Sequence, residues 1–134
     1  MKKILFLALF SAFIFIMDAS AQTYKYHTTK VSYKAKDEYG YWSDWSDWKK
    51  TRCLISISLD REVINIYSDS PQEFDIIGEV GDREDENGSS IILSCVDKDG
   101  LRCNVRLRRQ HSGVLQLYIE YNDFIYVYCL KPKK

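Results

Sequence analysis

Between residues 91 and 109 the chain reads IILSCVDKDGLRCNVRLRR, two alternating segments around an Asp-Lys-Asp-Gly turn. Side chains alternate faces along a strand. Ile91, Leu93 and Cys95 therefore share one face, and Cys103, Val105 and Leu107 share another. A three-residue loop of Lys98, Asp99 and Gly100, with Gly100 at positive φ, sets Cys95 opposite Cys103 and merges the two apolar faces. The same two-residue period recurs in Cys53, Ile55, Ile57 and Leu59, in Leu115, Leu117, Ile119 and Tyr121, and in Phe124, Tyr126, Tyr128 and Leu130. No ten-residue window past position 22 shows a helical apolar period. About eight short strands with turns every 8–12 residues predict an all-β, antiparallel up-and-down meander, folded as a small barrel or sandwich. The expected core is Ile55, Ile57, Leu93, Val105, Leu107, Leu117, Ile119 and Tyr126.

The first 21 residues read as an address rather than as structure. Lys2 and Lys3 precede an apolar run over residues 4–17, and Ala19-Ser20-Ala21 offers the small residues a signal peptidase reads. The run has 14 residues, short of the ~18–20 that span a bilayer. Cleavage after Ala21 would leave a single domain, residues 22–134, of 113 residues with net charge −1. That length supports one modest core. A near-neutral surface gives no electrostatic case for nucleic acid or an anionic membrane. The expected location is periplasmic or extracellular, with no membrane attachment after cleavage.

All four cysteines, Cys53, Cys95, Cys103 and Cys129, fall within the domain. An even count in a small exported domain favours disulfides over metal or catalysis, and four cysteines allow three pairings. Facing positions on the hairpin favour Cys95–Cys103, which leaves Cys53–Cys129. On its strand Cys129 has the parity of Ile125 and Val127, opposite to Tyr126 and Tyr128, so the second pair needs a bulge or a strand switch.

Residues 22–90 supply the other strands. Tyr24 to Lys36 alternates loosely, with Lys on both faces, as an edge or solvated strand does. Strands are expected at 53–59, 63–67 and 74–80, with a bulge at Gly78. Residues 81–90, GDREDENGSS, read as the longest exposed loop.

The loudest local pattern is Trp42-Ser43-Asp44-Trp45-Ser46-Asp47-Trp48. Residues 42–46 match the WSXWS string of type I cytokine receptors, but that string precedes a domain's last strands, and here it precedes nearly all of them. The run also resembles the WxxWxxW of thrombospondin type 1 repeats, which have six cysteines and a thin three-stranded layer, unlike this chain. Read as a strand, the run puts Trp42 and Trp48 on one face and Trp45 on the other. One face becomes core, and the other a partly exposed aromatic spot to which Trp45 and Tyr118 are assigned. Gly40-Tyr41-Trp42 matches the G-x-W of lipocalin-like barrels and tips the balance from sandwich to barrel.

No catalytic or metal constellation emerges. Asp97-Lys98-Asp99-Gly100 is half a calcium loop, and the acidic 82–87 stretch would place Arg83 and Ser94 at ligand positions, so neither fits the required spacing. His27 and His111 have no cysteine spacing suited to zinc. Arg102, Arg106 and Arg108 share the outer face of one strand with Asn104, as an anion-binding stripe or as cross-strand partners of carboxylates such as Glu120. No cofactor is implied.

As a whole, residues 42–130 resemble a set of small exported bacterial proteins of uncharacterised function. The resemblance rests on the tryptophan run, I-S-I-S-L, V-I-N-I-Y, C-V-D-K-D-G-L-R-C and L-Q-L-Y-I-E-Y-N-D-F-I-Y-V-Y. It implies export and a single β domain, and it transfers no site residue. The leading expectation is a non-catalytic binding module for a protein, glycan or small-molecule partner. The alternatives are a small extracytoplasmic hydrolase built on carboxylates and a lipocalin-like carrier of an apolar ligand.

Overall fold

The computed structural model describes residues 23–133. The expected leader and its cleavage point lie outside the described residues. Nine strands follow in order: β1 (Thr23–Ala35), β2 (Lys49–Lys50), β3 (Leu54–Ser58), β4 (Val63–Tyr67), β5 (Gln72–Asp85), β6 (Gly88–Asp97), β7 (Arg102–Gln110), β8 (Leu115–Glu120) and β9 (Phe124–Pro132). All pairings are antiparallel and sequential from β3 to β9, and β9 pairs back onto β1. The meander thus closes into an eight-stranded barrel, and the two-residue β2 sits outside it on β1. Closure gives every long strand two neighbours over at least part of its length and so removes much of the edge an open sheet would expose.

An eight-stranded barrel is just wide enough for side chains to fill. Tyr24, Tyr26, Phe74, Ile91, Leu107 and Leu117 are among those that fill this one, all essentially inaccessible. Seven of the eight expected core residues lie in this cluster, and Tyr126 packs against it at one end, only partly buried.

Turn chemistry explains the spacing. Asp97 N donates to Leu101 O (2.9 Å) and accepts, through its carbonyl, Gly100 N (3.1 Å), closing the three-residue loop that aligns Cys95 with Cys103. Gly100 has φ 83°, a region open to glycine at little cost. The same bonds recur between Asp37 and Tyr41 around Gly40, and between Gln110 and Val114 around Gly113. In both aspartate versions the carboxylate Oδ1 accepts two backbone N–H groups of its own loop, from Asp99 and Leu101 or from Tyr39 and Tyr41. Asp97-Lys98-Asp99-Gly100 is therefore a turn.

Two expectations change. Residues 81–90 are not a long loop: β5 continues to Asp85 and β6 starts at Gly88, with only two residues between. Register shifts between Ile76 and Gly78 and between Glu79 and Gly81 carry the hairpin on in paired but polar form. β1, read as an edge, is the closing strand. A register shift between Thr28 and Lys30 explains its lysines. A bulge inserts one residue and reverses which parity faces outward. Tyr24, Tyr26 and Thr28 are buried before it, whereas Lys30, Ser32, Lys34 and Lys36 share the outer face after it.

Candidate functional site

The site grows from the outer face of β1 beyond that bulge. β3 pairs only with residues 23–27 of β1, which leaves the second half of that edge open. The tryptophan run fills it. Ser43 N donates to Ala35 O (2.8 Å), and Ala35 N donates back to Ser43 Oγ (3.1 Å). Ser46 N donates to Tyr33 O (2.8 Å), and Tyr33 N donates to Ser46 Oγ (3.0 Å). Lys49 then pairs with Val31 in β2. The run advances three residues for every two of β1, and each serine hydroxyl stands in for a missing backbone carbonyl.

That three-residue period corrects the strand reading of the tryptophans. It does not place Trp42 and Trp48 inside and Trp45 outside. All three stay on the surface, 39%, 42% and 44% exposed. They stand above the β1 lysines. Lys36 Nζ lies 5.2 Å from the Trp42 ring centre, and Lys34 Nζ lies 5.4 Å from Trp42 and 4.8 Å from Trp45. Lys30 Nζ lies 4.7 Å from Trp48. Each such cation–π contact at an exposed site contributes roughly 0.5–1 kcal/mol.

From Trp45 the aromatic surface continues sideways. Its ring meets Tyr118 edge-on at 6.3 Å, and the Arg106 guanidinium lies 4.2 Å from the centre of the Tyr118 ring. Arg106 Nη2 also pairs with Glu120 at 3.0 Å. Trp45, Tyr118 and Arg106, assigned to a surface from the sequence, therefore form one connected group. The other two arginines do not join it. Arg108 turns to Asp85 at 3.3 Å and to Ser90 Oγ at 3.3 Å, and Arg102 lies at the far, turn end of β7.

Beneath this surface lies a second, small interior outside the barrel wall. Ser32, Gln116, Val127 and Cys129 face outward by register yet are buried. Tyr118 Oη and Gln110 Nε2 both donate to Gln116 Oε1, at 3.2 and 3.1 Å.

The cysteines need the firmest correction. All four are free and buried, so neither expected disulfide is present. Cys95 and Cys103 do face each other across β6 and β7. Burial, with Cys103 adjacent, raises the Cys95 thiol to about 12; burial raises Cys103 to about 11 against a Tyr121 hydrogen bond that lowers it. Cys53 belongs to the barrel core, where Thr28 Oγ1 lies 3.3 Å from its sulfur. Cys129 has the outward parity of Val127 and packs in the second layer, so the wall separates it from Cys53. No bulge in β9 reconciles them.

Two openings complete the surface. Beside Trp48 a groove of about 790 Å³ runs along the end of β9, between the tryptophan run and the β7–β8 turn. At the opposite end, a mouth of about 490 Å³ holds Tyr121, Phe124 and Tyr126, whose neighbouring rings stack at 4.5 and 6.2 Å. There Tyr121 Oη donates to Asp97 Oδ2 (2.7 Å), and Tyr126 Oη donates to Gln72 Oε1. The Tyr121 bond is the main force holding the Asp97 carboxyl below its ordinary range.

No protein-family description, curated protein or solved structure matches this chain. The lysines of β1 escaped the sequence reading. Their signal was present, since Lys30, Lys34 and Lys36 share one parity beside a run of tryptophans at period three. The bulge that turns this parity outward has no residue signature at Thr29.

Proposed function

We propose that the protein is an exported, non-catalytic binding module whose recognition surface is the outer aromatic face of β1, β9 and β8. The observation that carries this reading is the fixed, half-exposed tryptophan row: Trp42, Trp45 and Trp48 are held in place by serine rungs and by lysines, yet keep about two-fifths of their surface in solvent. Rigid aromatics with a polar tip lose little entropy on binding and dominate recognition surfaces. Export rests on the leader-like residues 1–21. The interior carrier is less well supported, because Tyr24, Tyr26 and Phe74 occupy the space such a barrel keeps for its ligand. A carboxylate hydrolase is also less well supported. At the mouth, Asp97 already accepts hydrogen bonds on both oxygens and has a lowered, not raised, pKa, the wrong direction for a general acid.

Affinity capture from native extract and from an immobilised glycan panel tests the reading, with wild type beside a Trp45→Ala/Tyr118→Ala variant. The expected result is a partner retained by wild type and lost from the variant. Equal capture by both proteins would overturn it.

A further inference from the structure

The groove beside Trp48 has a chemistry of its own. Three cationic residues line it, Lys30, Arg109 and Lys131, and no carboxylate does. Its remaining wall is largely apolar, from Trp48, Val114, Leu115, Leu130 and Pro132. A volume of about 790 Å³ falls within the roughly 300–1,000 Å³ of small-molecule sites. Tyr26, 1% exposed, also lines it. A protein partner would need a broad complementary face, whereas this site is a concave apolar slot with positive charge on its rim.

We propose that this groove binds a free amphipathic carboxylate, an unbranched apolar chain ending in one anionic head. The chain lies against Trp48, Leu115 and Leu130, and the carboxylate meets Lys30 and Lys131 at the rim. The proposal rests on the reading of this outer face as a binding surface and gives one part of it a ligand class.

Isothermal titration of residues 22–134 with monomeric sodium dodecanoate tests it. Saturable one-to-one binding is expected. A Lys30→Gln/Lys131→Gln variant should bind roughly tenfold more weakly or worse, the loss that follows removal of charge-assisted contacts, and dodecanol should show the same deficit against wild type. Because Lys30 also supports Trp48, Val114→Asp is the second variant: Val114 is exposed and outside the core, and a carboxylate there should abolish dodecanoate binding with the fold intact by near-ultraviolet circular dichroism. No binding to wild type, equal binding of dodecanol, or binding only to anionic vesicles and not to free dodecanoate would each overturn the proposal. The Trp45→Ala/Tyr118→Ala variant separates the two readings, since neither residue lines the groove. If wild type captures a partner that this variant loses while dodecanoate fails to bind wild type, the groove inference falls alone. If wild type and this variant capture alike while dodecanoate binds both, the reading of the aromatic face around Trp45 falls and the groove stands.

Discussion

Replacing Tyr26 by Phe removes one oxygen atom from the barrel interior and nothing else. Tyr26 is essentially inaccessible, pairs with Ile55 on β3 and Pro132 on β9, and has its hydroxyl unpartnered among the described residues. Burial raises its pKa well above the ordinary tyrosine value, so the hydroxyl is neutral at every working pH. A buried hydroxyl without a partner costs about 1–3 kcal/mol. The Phe variant should therefore match wild type or exceed it by up to about that amount, with a gain of roughly 3–6 °C in Tm per kcal/mol for a domain of this size. Tyr121→Phe is the control, because its hydroxyl donates to the Asp97 carboxylate at 2.7 Å; losing a hydrogen bond to a charged group should cost about 1.5–3 kcal/mol. Urea unfolding of the three proteins, without added ligand and with a common m-value, gives the comparison. A Tyr26→Phe protein less stable than wild type by more than about 1 kcal/mol would show that the hydroxyl is satisfied.

Gly88→Ala should be severe: a methyl group there would overlap the backbone of Arg109 and Gln110 across β6 and β7, and strain against backbone in a packed ladder costs about 1–3 kcal/mol or more. Thermal unfolding measures it, and a neutral outcome would contradict the register at Gly88↔Gln110. The depressed Asp97 pKa, due first to Tyr121, adds stability above the unfolded carboxyl value that is lost as pH falls through the folded one. Between about pH 5 and pH 2 wild type should lose more stability than Tyr121→Phe; parallel pH profiles would refute the coupling. Cys95 and Cys103, buried and raised to about 12 and about 11, should resist iodoacetamide at pH 8 in the native protein and react in urea. On refolding from urea under oxidised glutathione, where the thiols are accessible, thiol–disulfide exchange should join Cys95 to Cys103 and leave Cys53 and Cys129 unjoined. A mapped Cys53–Cys129 peptide would refute their placement on opposite sides of the wall.

The barrel was legible wherever one side of a strand is apolar and the other polar, because period two fixes both strand and face. Residues 91–109 therefore read correctly down to loop length, since Gly100 encodes its own turn. The reading failed where backbone irregularity overrides parity. At Thr29 an extra residue reverses the face of every lysine that follows, and beyond the expected bulge at Gly78 a second shift at Gly81 carries the ladder through a stretch whose composition resembles a loop. Cys129 failed for a different reason. Its outward parity was correct, but a wall covered on both sides buries residues of both parities, and a single strand does not reveal that cover. The tryptophan period of three was visible, yet only the unpaired length of β1, set by where β3 stops, shows what it is for.

The serine rungs have a bearing on solubility. β3 leaves β1 at His27, so without residues 43–50 the backbone of residues 29–35 would present a free row of donors and acceptors, the template from which chains add to one another edge to edge. The segment that displays the aromatic surface thus also guards an open edge of the barrel wall. Damage to Ser43 or Ser46 would be felt first as self-association, with the core of the barrel still intact.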